Sequence, residues 1–299
     1  MLTTSPRPRT SAMPVREQIL AFLFQHRAVD TFQLHRMLYP RPRPRTDHMR
    51  RCLRQLQRDG LVKSIARAYH PSLWALSGAG RAEVARWPYL SAGRAAGRTS
   101  HPGCQRSVHA LAVTSTFLAF LDDARTRGDE FTPLDWQPEV AHPLDDGAAD
   151  GDRVLIPDAL MHYTCLGDSH GPLRAFVEVD RATEPQARLA AKLIAYARFY
   201  YARPAEHGNL SQPVGAPVWH NSYPHFPRVL FVLNSAGPRA AQRIADLQAM
   251  ARQHPLVSAL AAEVPLGVSA LEELEEQGAS APVWRPLTGC GQPQSWMDL

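Results

Sequence analysis

The stretch Val154–Tyr196, VLIPDALMHYTCLGDSHGPLRAFVEVDRATEPQARLAAKLIAY, decides how the second half of this chain folds. It reads as strand, turn, strand, helix. Asp158 follows Pro157 within an apolar run that continues through ALMHY. AFVEVD alternates apolar and acidic side chains. Successive side chains on a strand face opposite ways, so Glu178 and Asp180 share one face. Thr183 and Glu184 stand where an N-cap and a first-turn acid belong, and Pro185 suits the first turn of a helix. On that helix Arg188, Lys192 and Tyr196 recur every four residues and share a face.

Carboxylates gathered between paired strands need positive charge among them. Two of them about 4 Å apart repel by roughly 4 kcal/mol at an effective dielectric near 20. A divalent cation answers this, and hard oxygen donors select Mg²⁺ or Mn²⁺ over zinc. Asp158, Glu178 and Asp180 are therefore candidate metal ligands. Lys192 is a candidate catalytic ammonium that polarises a phosphate or orients a water. In the plainer alternative Asp180 caps a turn, Glu178 pairs with Arg181 or Arg188, and Lys192 is a solvated helix residue. Lysine usage favours chemistry. Of 33 basic residues only Lys63 and Lys192 are lysines, and a compact ammonium differs from a planar guanidinium.

PDA at Pro157–Ala159, FVEVDRATE at Phe176–Glu184 and KLIAY at Lys192–Tyr196 together resemble the replication-relaxation family of actinobacterial and other plasmid-borne proteins. His109, Trp136 and Glu139 are also placed as in that family, and the resemblance runs from about Val15 to about Asn234. It implies an N-terminal winged helix joined to a PD-(D/E)xK nuclease-like domain. It also implies a role in plasmid replication or in relaxing and processing plasmid DNA, with double-stranded DNA and other plasmid-processing proteins as partners. The implied site is Asp158, Glu178, Asp180 and Lys192, with His109, Glu139, Arg188 and Tyr196 as accessory residues. Asp180 stands where the nuclease pattern carries lysine. Either Lys192 substitutes from the helix, or hydrolysis is lost and DNA binding kept.

At 299 residues and 44% hydrophobic content, the chain can bury the cores of two domains. Residues 1–110 hold 19 basic and 5 acidic side chains, and the remainder 14 and 23. A basic half joined to an acidic half points to a nucleic-acid-binding module attached to something else. Cys52, Cys104, Cys165 and Cys290 form no CxxC pair, which argues against a disulfide framework and for a reducing cytoplasm. His101, Cys104, His109, His162 and Cys165 match no familiar zinc spacing. No apolar run approaches the roughly 18 residues needed to span a bilayer. Residues 1–13 lack the apolar segment of a signal peptide and read as a disordered basic arm. No GxxxxGK[ST] suggests nucleotide hydrolysis.

Residues 14–87 read as a winged helix-turn-helix. VREQILAFLFQHR puts Ile19, Phe22 and Leu23 on one stripe, and Asp30 or Thr31 caps a second helix. PRPRPRT (40–46) interrupts before a third helix, DHMRRCLRQLQRDG, in which Met49, Cys52, Leu53 and Leu56 face inward. Gly60 ends it, LVKSIAR and SLWALS form a hairpin, and GAGRAEVARW trails as a helix. The third helix is the expected reader of the major groove. Arg45, Arg50, Arg51, Arg54 and Arg58, with Lys63 and Arg67 on the hairpin, are the candidate DNA contacts. The alternative is a protein-contact module with an ordinary solvated basic face.

Residues 88–103 read as a linker. The helix RSVHALAVTSTFLAFLDDARTRG follows, with His109 in its first turns, and TPLDWQPEVAHPL is the first strand before a hairpin turn near residue 150. The loop after the Lys192 helix carries Trp219 and Tyr223, either for base stacking or to cover the core. RVLFVLN reads as a strand buried on both faces and PRAAQRIADLQAMARQ as an amphipathic helix. The order αβββαβα over 104–262 fits a restriction-endonuclease-like core, so the fold class is α+β, and 263–299 reads as an acidic, irregular tail. The expected protein is a cytoplasmic, DNA-binding, Mg²⁺- or Mn²⁺-dependent nicking endonuclease, compatible with a homodimer. The alternative is a non-catalytic DNA-binding regulator or relaxosome accessory factor.

Overall fold

The computed structural model describes residues 13–40, 46–67, 70–91, 104–144, 154–167, 170–181, 186–203, 216–288 and 291–299. Outside these lie nearly all of the expected basic arm, Arg45, most of the expected linker, the turn near residue 150, and Thr183–Pro185.

Helix α1 (Val15–His26) buries Ile19, Leu20, Phe22 and Leu23, and strand β1 (Val29–Asp30) leads into α2 (Thr31–Leu38). The Asp30 carboxylate accepts from Gln33 N at 2.8 Å while Asp30 N donates to the Gln33 side chain at 3.3 Å. This reciprocal cap satisfies amides that a helix start leaves open. Helix α3 (Asp47–Arg58) buries Met49, Leu53 and Leu56, and that narrow inner stripe leaves Arg50, Arg51, Arg54 and Arg58 exposed. Gly60 (φ 73°) ends it, with Gly60 N donating to Gln57 O and Leu61 N to Leu56 O, each at 3.0 Å. Strands β2 (Val62–Arg67) and β3 (His70–Leu76) form an antiparallel hairpin, and β1 joins it in the order β1-β3-β2. Helix α4 (Gly78–Val84) follows. A Cβ on Gly80 would stand 2.0 Å from Leu61 O, so glycine is what lets α4 close on the end of α3. The short α5 (Pro88–Ser91) comes next.

The second part begins with α6 (Cys104–Arg127), β4 (Trp136–Pro138), β5 (His142–Pro143), β6 (Val154–Leu155), β7 (Ala159–Thr164) and β8 (Pro172–Asp180). Helix α7 (Gln186–Tyr201), β9 (Arg228–Leu233), α8 (Gly237–Gln253), α9 (Pro255–Glu263), β10 (Leu266–Ala270), α10 (Leu271–Gln277) and β11 (Arg285–Pro286) complete it. The protein is thus a mixed α and β fold. Its main sheet runs β11-β10-β9-β8-β7-β4, with β8, β9 and β10 parallel and the other pairings antiparallel. Alternation on β8 separates the two faces. Ala175, Val177 and Val179 pack with Phe117 and Phe120 of α6, and Phe176 packs with Leu193 and Tyr196 of α7.

Two expectations need correcting. The run VLIPDALMHY is not one strand: β6 pairs with β5 outside the main sheet, and the chain bends at Asp158 before β7. Residues 263–299 are not an irregular tail. They supply β10 and β11, and Trp284 and Trp296 are wholly buried. Glu272, Glu275 and Glu276 of α10 are exposed and acidic residues dominate its composition, while LGVSA is too short for its period to be recognised.

One hydrophobic core runs through both parts, joining Ile19, Leu23 and Met37 to Phe117, Leu121, Trp136 and Trp284. A polar seam accompanies it. The Gln25 side chain donates to Trp136 O, and Gln33 Nε2 to Leu111 O and Ser115 Oγ, both at 3.3 Å. Arg125 donates to Arg36 O (2.6 Å) and Met37 O (2.7 Å), filling carbonyls left open at the end of α2. No helix among the described residues is long and apolar enough to cross a membrane.

Candidate active site

The bend before β7 leaves Asp158 at the end of the sheet, between the helix layers. Val179 N donates to its Oδ2 at 2.8 Å, and His109 Nε2 of α6 lies 2.9 Å from its Oδ1. Glu178, next along β8, faces α7. There Tyr196 OH donates to Oε1 at 2.7 Å and Lys192 Nζ donates to Oε2. Lys192 Nζ also stands 3.7 Å from Asp158 Oδ2, so one ammonium serves two carboxylates. The four-residue spacing of Lys192 and Tyr196 is what brings both to Glu178.

Burial sets the electrostatics. Burial pushes the Glu178 carboxyl up to about 7 in spite of Lys192, and the Asp158 charge adds to the rise. Burial also opposes ionisation of Asp158, but Lys192, His109 and the Val179 N–H outweigh it and hold that carboxyl below its ordinary value. Burial and the Glu178 charge raise the Tyr196 hydroxyl well above the usual phenol range. The Glu178 side chain is 1% exposed, Asp158 14% and Lys192 25%, so access is from the side of Asp158 and Lys192.

Asp180 is directed elsewhere. Its Oδ2 accepts from Arg243 Nε at 2.9 Å, a buried pair reaching across 63 positions to α8. Arg243 escaped the sequence reading, although a signal was there: it sits on the stripe Ala240, Arg243, Ile244, Leu247 that α8 buries. Glu139 pairs with Arg27 at 2.6 Å, and Arg188 is exposed on the first turns of α7. The expected three carboxylates are therefore two sharing an ammonium and one paired with a guanidinium. Among the described residues no three His, Cys, Asp or Glu side chains gather as cation ligands.

Of the candidate DNA contacts, Arg51, Arg54 and Arg58 are exposed along α3, and Arg50 lies 3.8 Å from Asp47. Lys63 is half-buried on β2. Arg67 donates from Nε (2.9 Å) and Nη2 (2.7 Å) to Pro71 O, clasping the hairpin end.

The profile of the replication-relaxation family matches residues 20–211, more than half of the chain. The chain belongs to the replication-relaxation family. In this replication-relaxation protein the matched residues take in α2, α3 and every member of the Asp158 cluster, and Arg243 lies beyond them. Membership suggests a replication-related role on plasmid or mobile-element DNA. No curated protein sequence and no solved structure matches the chain significantly.

Proposed function

We propose that this replication-relaxation protein nicks or cleaves plasmid or mobile-element DNA, gripping the duplex with a winged helix and cutting it in a restriction-endonuclease-like domain. The observation that carries the reading is Lys192 Nζ, hydrogen-bonded to Glu178 and 3.7 Å from Asp158. Two carboxylates and a lysine on one spot are a donor set that metal-assisted phosphodiester hydrolysis can use. The winged-helix assignment is supported by the order of three helices and a hairpin, with arginines along the outer face of α3.

Asp158 and Glu178 are hard oxygen donors that suit Mg²⁺ or Mn²⁺, within reach of a single positive charge. Asp180 is committed to Arg243 and would steady the strand end. A bound divalent cation supplies positive charge to the phosphate and lowers the pKa of a water. The remaining work belongs to the chain. Val179 N–H and His109 fix the Asp158 carboxylate, Tyr196 fixes Glu178, and the Lys192 ammonium offers charge to phosphate oxygens as negative charge builds there.

One observation favours a second reading, a non-catalytic DNA-binding regulator or relaxosome accessory factor. Both Glu178 oxygens already accept hydrogen bonds from the protein, and the side chain is 1% exposed. Supercoiled plasmid incubated with Mg²⁺ or Mn²⁺ separates the two. Relaxed or linear product from wild type, absent with Lys192→Ala and with Asp158→Asn, is expected. Wild type that binds duplex yet leaves the plasmid supercoiled overturns the enzyme reading in favour of the regulator.

A further inference from the structure

Along the seam between the two parts of the chain stands a pair of residues with uncommon backbones. Among the described residues Arg27 (φ 62°) and Glu139 (φ 52°) are the only non-glycine positions with positive φ. Arg27 has ψ −54°, and Ala28 N donates to His26 O at 2.6 Å, which closes a γ-turn of the strained, rarely used hand. These two positions hold each other, with Arg27 Nη2 2.6 Å from Glu139 Oε2.

Both are tied into what lies on either side. Just before Arg27, His26 Nε2 lies 3.2 Å from Pro133 O and the Gln25 amide donates to Trp136 O. Glu139 N donates to Asp158 O at 3.3 Å, directly after the Pro138–Ala159 pairing of β4 and β7. The end of α1 thus reaches the backbone of Asp158 through Glu139. Sparsely populated backbone conformations persist only where their surroundings over-determine them, and they gather at active sites and switches.

We propose that the Arg27–Glu139 pair couples DNA engagement by the N-terminal helices to the placement of Asp158. The inference rests on the DNA-binding reading above, not on catalysis. Helix α1 packs on α2, α4 and β3 and also on β4, the strand that ends beside Glu139, so a displacement of the N-terminal helices on a duplex reaches Arg27. Glu139 then transmits the movement to the Asp158 carbonyl. Both are positioning residues; neither touches a reacting atom.

The test uses the full chain with ¹⁵N-labelled histidine, titrated with a short random-sequence duplex. The imidazole signal of His109 reports on Asp158, which its Nε2 contacts at 2.9 Å. Duplex binding should shift that signal in wild type. Arg27→Gly, which tolerates the positive φ, and Glu139→Gln should bind duplex with unchanged affinity and lose the His109 shift. Arg27→Lys, which keeps the charge pair, should restore it. A His109 shift that persists in both disrupting variants, or is absent from duplex-bound wild type, overturns the coupling and leaves the DNA-binding reading standing. Wild type that binds no duplex removes both together.

Discussion

At Glu178 burial works against the negative charge more strongly than Lys192 works for it, raising the carboxyl from 4.5 to about 7. Between those values the folded protein holds a proton that the unfolded chain has released, so this group's contribution makes stability fall as pH rises across that window. Asp158 acts in the opposite sense. Its lowered value contributes stability above the unfolded carboxyl range that is lost on acidification. Glu178→Gln cannot titrate at this position. Denaturant midpoints measured at either end of the window should show wild type losing more stability than the variant, and equal losses would refute the assignment. Asp180 and Arg243 form the second residue-scale test. Arg243→Ala takes the guanidinium from a carboxylate that is 2% exposed, which costs about 3–5 kcal/mol, and adding Asp180→Asn should recover part of it. A thermal melt unchanged by Arg243→Ala would show that the pair carries no weight. That Glu178 and Asp180 share a face was readable from AFVEVD alone. Which cation answers each of them was not, because Arg243 lies 63 positions away and only the packing of α8 beside α7 and β10 brings it there.

At the scale of elements, α3 carries the prediction with the broadest reach. Its inner stripe of Met49, Leu53 and Leu56 anchors the helix and leaves its arginines outward, so reversing Arg50, Arg51 and Arg54 to glutamate should leave the fold intact. Duplex affinity should drop, and the slope of log affinity against log salt should flatten by about 0.9 for each phosphate that α3 no longer neutralises. Anisotropy titrations at several salt concentrations check this; an unchanged slope would remove α3 from the interface. Local signals were legible in the sequence: a cap for α2 at Asp30 or Thr31, which Asp30 fills, the glycine that ends α3, and the apolar run of β9. Short pieces were not. Strand β10 has five residues and β6 two, and elements of that length exist because a neighbouring strand pairs with them.

The N-terminal helices and one face of the main sheet share a core that does not stop where the expected linker stood, and α7, α8 and α9 cover a second core on the other face. Ile19 and Leu23 of α1 pack in the same cluster as Phe117, Trp136, Trp284 and Trp296. The chain should therefore unfold in one transition, with calorimetric and van't Hoff enthalpies equal. Trp284→Ala, at a site with 0% exposure, should destabilise the whole by about 3–5 kcal/mol and melt the N-terminal helices with the rest. Two separate transitions, or N-terminal helices that outlast the sheet, would contradict a shared core. The sequence by itself determined helices α1 to α4 and α6 to α8, the alternation of β8, the basic outer face of α3, and the family, because those depend on periodicity, composition and local motif. Only the tertiary structure decided that Lys192 bridges Asp158 and Glu178, that Arg243 takes Asp180, and that Arg27 meets Glu139 beside the site. Each of these pairings depends on which helix packs over which strand end, and no period or spacing along the chain encodes that.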